Sequence, residues 1–149
     1  MPTKPTAPQV EDAALFREFE HTGDLGIELD APTRGELFRR AAIALAALLV
    51  ESASVAEIEQ RQVAVEAETD PDLMHDMLTE LLALFAVDGF TWRDASVTEA
   101  GRSLHVTLRG ESFDPARHAF RGEIKAVTYH QLTVENSPGG WRSRVIFDV

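Results

Sequence analysis

Residues 41–50 read AAIALAALLV and are apolar at every position. Helix formers precede them, and a helix without a polar stripe must be covered by protein on all sides. Thr33-Arg34-Gly35-Glu36 matches a capping box, with Thr33 accepting from a free amide while Glu36 reaches back. That signal predicts a helix over 34–50. A second one begins at Asp70-Pro71-Asp72, with Asp70 as N-cap, Pro71 in the first turn and Asp72 at the positive dipole end. Leu73, Met74, Met77, Leu78, Leu81, Leu82, Leu84 and Phe85 make it apolar over more than one face, and Gly89 suits its C-terminal cap.

Everything else reads as strand. Residues 15–30 form a strand, a glycine turn and a second strand in which Ile27 and Leu29 alternate with Glu28 and Asp30. Val63, Val65 and Ala67 alternate, as do Leu104, Val106 and Leu108. A long β-branched stretch covers 122–135, and Asn-Ser-Pro-Gly-Gly turns it toward a last strand ending in Phe147-Asp148-Val149. Two apolar helices among roughly seven strands need cover on both faces. The expected architecture is an α+β layered domain, with two apolar helices packed between mixed or antiparallel β-sheets. The segments do not alternate as βαβ units, which argues against a dinucleotide-binding fold.

Length allows one domain with a core of its own. Residues 1–12 hold three prolines and little apolar bulk, so a flexible arm is expected there and a single domain over 13–149. There is no apolar run long enough to span a bilayer and no secretory h-region. With no cysteine to form disulfides, the cytoplasm is the simplest compartment. The net charge of −11 disfavours direct nucleic-acid binding and suits a basic protein partner or a hard cation. Phosphate loops, dinucleotide fingerprints, HExxH and GxSxG are all missing, so no autonomous catalyst is visible.

Three places carry surplus chemistry. In His21-Thr22-Gly23-Asp24-Leu25-Gly26, a sharp turn holds a carboxylate beside exposed carbonyls. It serves either as a structural Asx-turn steadied by His21 or as oxygen donors for a cation. Asp148 beside the Val149 carboxylate is either a solvated acidic end or a pair of like charges that a cation would relieve. Lys125 is one of two lysines, the other being Lys4. Alternation sets it with Val127 and Tyr129 on one face, where its ammonium snorkels, pairs with an acid or is aimed at a ligand. His75, His105, His118 and His130 are scattered, and His118 with Arg117 and Arg121 reads as a basic island on a solvated loop.

Together these places resemble the archease family. HTGDLG is similar to that family's opening motif, ELFRRAAIALAALL to its first helix, FDPARHAFRGEIKAVTYHQLTV to its longest signature, and IFDV to its final strand. Gly23 and Leu25 stand where alanine and isoleucine are usual, and 72–85 lacks the customary tryptophan and asparagine. The resemblance implies a protein cofactor of RtcB-type RNA ligases, which seal RNA ends in tRNA splicing and RNA repair. Such a cofactor promotes guanylylation and multiple turnover of the ligase and is not itself an enzyme. It further implies a metal site for calcium or another divalent cation at Asp24, Asp148 and Val149. Asp24, Lys125 and Asp148 would be needed for ligase activation, with His21 behind them. A chaperone-like protein-interaction module is the main alternative, and a metal-dependent hydrolase built on Asp24 and Asp148 is a third.

Overall fold

A computed structural model describes residues 15–149, and of His21 the backbone alone. The arm expected over 1–12 lies outside the described residues. The chain runs β1 (Arg17–His21), β2 (Asp24–Ala31), α1 (Arg34–Leu49), a short 3-10 turn (Ser52–Ser54), β3 (Glu59–Glu66), α2 (Asp70–Asp88), β4 (Phe90–Ala100), β5 (Ser103–Ser112), β6 (Ala126–Val127), β7 (Thr133–Ser137) and β8 (Gly140–Asp148). One sheet has the order β1-β2-β8-β6, with β7 also pairing β8, and the other has the order β3-β5-β4. Every pairing is antiparallel. Helix α1 contacts β4 of the smaller sheet and β2 and β8 of the larger, and α2 likewise touches strands of both. The helices therefore form a layer between two sheets, as their apolarity requires.

Residues 41–50 are all buried, none more than 5% exposed. Helix α1 starts as its sequence predicts, with Thr33 Oγ1 accepting the Glu36 amide at 3.2 Å. The reciprocal half of the box is replaced, because the Glu36 carboxylate turns outward to Arg39 and Arg40. At α2 the cap is Thr69, not Asp70, and its Oγ1 accepts from the Asp72 amide. Asp70 is then the first helical residue and its carboxylate holds Arg34 at 2.7 Å. Gly89 closes α2 in the left-handed conformation at φ 67°. Among the described residues, no helix is long and apolar enough to cross a membrane.

The predicted strand over 122–135 is broken. Only Ala126–Val127 and Thr133–Ser137 pair with β8. Between them Thr128 spends both its amide and its hydroxyl on the Ile146 carbonyl, and Gln131 adopts φ 53°. Lys125 precedes β6 instead of lying within a strand, and Ile124 on the opposite side of the alternation is buried.

Trp92 joins α1 to the smaller sheet. It is 1% exposed, and its Nε1–H donates to the Ala42 carbonyl at 2.9 Å, inside the most apolar part of α1. Trp92→Phe is expected to cost about 1–3 kcal/mol, from lost volume and the lost bond to the Ala42 carbonyl. Urea unfolding checks this, and an unchanged midpoint would show that the indole N–H is dispensable. Beside it the β4–β5 register slips between Trp92 and Asp94, opposite Gly110. A Cβ at Gly110 would lie 1.9 Å from the Thr91 carbonyl oxygen, so only glycine fits. The bulge also breaks alternation along β5, leaving both Gly110 and Glu111 buried.

Candidate functional site

The β1–β2 hairpin turns through Thr22 at φ 38° and Gly23 at φ 84°. Two successive positive φ values make a type I′ turn, whose twist matches antiparallel strands. His21 and Asp24 close it as paired residues. The ring of Phe19 lies across Gly26, where an added Cβ would meet it at 2.2 Å, and the Arg144 guanidinium sits 4.1 Å from that ring. Phe19 packed on Gly26 thus ties the two strands of the hairpin together, and Arg144 of β8 covers the same ring.

Strand β8 brings the far end of the chain to this turn. Leu25 pairs with Phe147, so one further step in the same register sets Asp24 opposite Asp148. On the other flank of β8, Ala126 pairs with Asp148, and the Lys125 amide donates to the Asp148 carbonyl at 2.7 Å. Cross-strand neighbours share a face, so on that continued register Asp24 and Asp148 fall on one face at the sheet's end. Asp24 is thereby brought to the same sheet end as Lys125 and Asp148, which lie more than a hundred residues further along the chain.

Asp24 and Val149 also line a common cleft of about 560 Å³. Leu48 and Ile124 give it apolar surface, and Glu18, Glu20 and Glu123 join Asp24 as its carboxylates. Arg121 is the cationic side chain in that lining. Its Nη1 donates to the Ala47 carbonyl at 3.0 Å, and its Nη2 lies 3.9 Å from Glu18. Helix α1 has no basic residue in its last turn, so Arg121 supplies from outside the positive group that a helix C-terminus favours.

Among the described side chains the metal donors at this end are oxygens, which suits a hard cation better than zinc or copper. Among the described residues no three His, Cys, Asp or Glu side chains are placed to hold a metal. Two carboxylates fit part of a coordination shell, and the remaining oxygens would have to come from the backbone or a terminal carboxylate.

The basic island is corrected outright. His118 is 3% exposed, and its ring lies between two partners. Nδ1 accepts the Asp114 amide at 2.8 Å, which leaves Nε2 to carry the proton and donate to Glu111 Oε2 at 2.8 Å. Glu111, 4% exposed, also accepts the Ala56 amide at 2.7 Å and pairs with Arg117. The Arg117 bond and the Ala56 amide hold the Glu111 carboxyl down to about 2 against the opposing effect of burial. His75, left without a role by sequence, stacks on Tyr129 with ring centroids 4.0 Å apart and pairs with Asp76.

A profile of the Archease protein family matches residues 16–149. The chain is 35% identical over 139 residues to the protein archease of Pyrococcus abyssi, covering 90% of this chain and 98% of that one. It is 34% identical over 138 residues to the protein archease of Methanopyrus kandleri, covering 90% and 99%. The solution structure of a Methanobacterium thermoautotrophicum protein matches with a TM-score of 0.72 at 29% identity, covering 90% and 98%. The crystal structure of an archease, possible chaperone, from Thermotoga maritima matches with a TM-score of 0.64 at 26% identity, covering 88% and 94%. On the family profile, the identities and the shared layered fold, the chain belongs to the archease family.

Proposed function

We propose that this protein activates an RtcB-type RNA ligase by promoting guanylylation of the ligase, and that it performs no catalysis of its own. The observation that carries the reading is the convergence of Asp24, Asp148 and the Lys125 backbone on one end of the larger sheet. Docked against the ligase nucleotide site, Asp24 and Asp148 would hold calcium or another divalent cation, with Val149 contributing through its carboxylate. A bound cation supplies charge neutralisation for phosphates during nucleotidyl transfer. Lys125, exposed at the same end, supplies a compact ammonium that orients a phosphate without a second metal. The backbone pairing of His21 with Asp24 fixes the turn that presents the carboxylate. Net charge of −11 favours a basic protein surface as the partner over the RNA itself.

The test is direct. Purified chain is added to an RtcB-type ligase with GTP and a divalent cation, and guanylylated ligase and joined RNA are followed over time. Stimulation that saturates with the chain is the expected result, and its absence would sink the reading. A chaperone-like role is the competing reading, and half-exposed Phe120 and Tyr129 are surfaces it would use. That reading expects suppression of aggregation of unrelated unfolded clients, insensitive to Asp24→Ala.

A further inference from the structure

Segment 113–125 joins β5 to β6 with no helix or strand, apart from one bridge between Phe120 and Val50. Irregular chain of this length is ordinarily mobile unless something fixes it. It carries Arg121, which lines the cleft, and ends on Lys125, whose amide meets Asp148, so its order decides where both stand.

The fixation begins with a buried ionic cluster. Glu111 sits at the end of β5, and three donors meet its carboxylate: the Ala56 amide, Arg117 and His118 Nε2. Asp114 turns the chain, its carbonyl accepting the Arg117 and His118 amides while its own amide donates to His118 Nδ1. From that knot the segment runs along the end of α1. The Glu51 amide donates to the Ala119 carbonyl and the Arg121 amide to the Leu49 carbonyl. Arg121 then reaches the Ala47 carbonyl with its side chain. A buried carboxylate contributes little net stability even when fully paired, so its structural return is specificity of conformation.

We propose that Glu111, His118 and Arg117 form a clamp that delivers Arg121 to the cleft and Lys125 to the sheet end beside it, making His118 a positioning residue for ligase activation although it does not line the cleft. The proposal rests on the ligase reading for its functional half and on geometry alone for its structural half.

Two variants split the His118 ring into its halves. His118→Gln keeps a donor at the Nε2 position toward Glu111, and His118→Asn keeps only the acceptor at the Nδ1 position toward Asp114. With His118→Asn, exchange of the Arg121 and Lys125 amides should quicken about tenfold while amides of α1 and β5 hold their rates. The concentration of chain giving half-maximal ligase stimulation should rise about fivefold or more, and His118→Gln should stay within about twofold of wild type. Quickening of all amides together would overturn the clamp, since that is general destabilisation. An unchanged stimulation curve for His118→Asn, with wild type active, would overturn the positioning role. Should wild type itself fail to stimulate, the ligase reading falls separately. The exchange pattern then decides the clamp: confinement to 113–125 sustains it and no change ends it.

Discussion

Asp24→Ala is expected to lower ligase stimulation at saturating chain by about tenfold or more while leaving the melting temperature within a few degrees of wild type. Asp24 is half-buried at the mouth of the hairpin, and the turn itself is set by the backbone of Thr22 and Gly23. Its carboxylate is what the proposed site requires. Asp24→Asn, which keeps the shape and removes the charge, should behave like Asp24→Ala. Asp148→Ala should cause a similar loss, and the double variant should lose little more than either single one, because both carboxylates serve one site. Losses that multiply would place the two residues in separate functions. Extending the chain beyond Val149 should also weaken stimulation, and a tag without effect would remove its carboxylate from the site. The measurement in each case is the initial rate of guanylylated ligase formation at equal chain concentration.

Glu111→Ala should destabilise the fold by about 3–5 kcal/mol, because it leaves the Ala56 amide and His118 Nε2 buried without an acceptor. That is a large part of the roughly 5–15 kcal/mol typical of a domain, and a fall in melting temperature of about 10 °C or more should accompany it. Glu111→Gln should cost less, about 2–3 kcal/mol near neutral pH, since the amide retains an acceptor but presents a donor where Arg117 expects a carboxylate. The two variants differ in pH dependence as well. The folded carboxyl sits at about 2, below its ordinary 4.5, so its stabilisation is fully present above the unfolded value. It is lost as pH falls toward the folded value. The stability gap between wild type and Glu111→Gln should therefore narrow between about pH 5 and pH 2. A gap constant over that window would mean that the charge of Glu111 is irrelevant to folding.

The helices were legible because their evidence is local. Ten consecutive apolar positions ending at Val50 forced burial, and boundaries were marked by the Thr33 hydroxyl and the left-handed backbone of Gly89. The antiparallel sheets followed from alternation, yet their order did not, since β8 pairs with strands from both ends of the chain. Asp24 and Asp148 were each readable as surplus carboxylates, but only the register of β2 on β8 makes them neighbours. Family resemblance supplied that link before geometry did. His118 was misread because its neighbours in sequence, Arg117 and Arg121, are polar and its partner Glu111 sits on the previous strand. The available signal was the broken alternation at Gly110-Glu111, followed by an Asx-turn from Asp114 to Ala116 just ahead of His118. The broken stretch at 122–135 was misread for a related reason: β propensity says nothing about whether a partner edge is free.

Strand β8 lies between β2 on one side and β6 and β7 on the other. During synthesis the smaller sheet can close once β5 has emerged, because no strand of the larger sheet interrupts β3, β4 and β5 in the chain. The larger sheet has to wait, since its interior strand is made last. Until residues 140–148 are released, the β1–β2 hairpin has one edge with nothing to pair with, and the pairing is of long range and slow to form. A product ended before residue 140 carries Asp24 and Lys125 but lacks the strand to which β2 and β6 both pair.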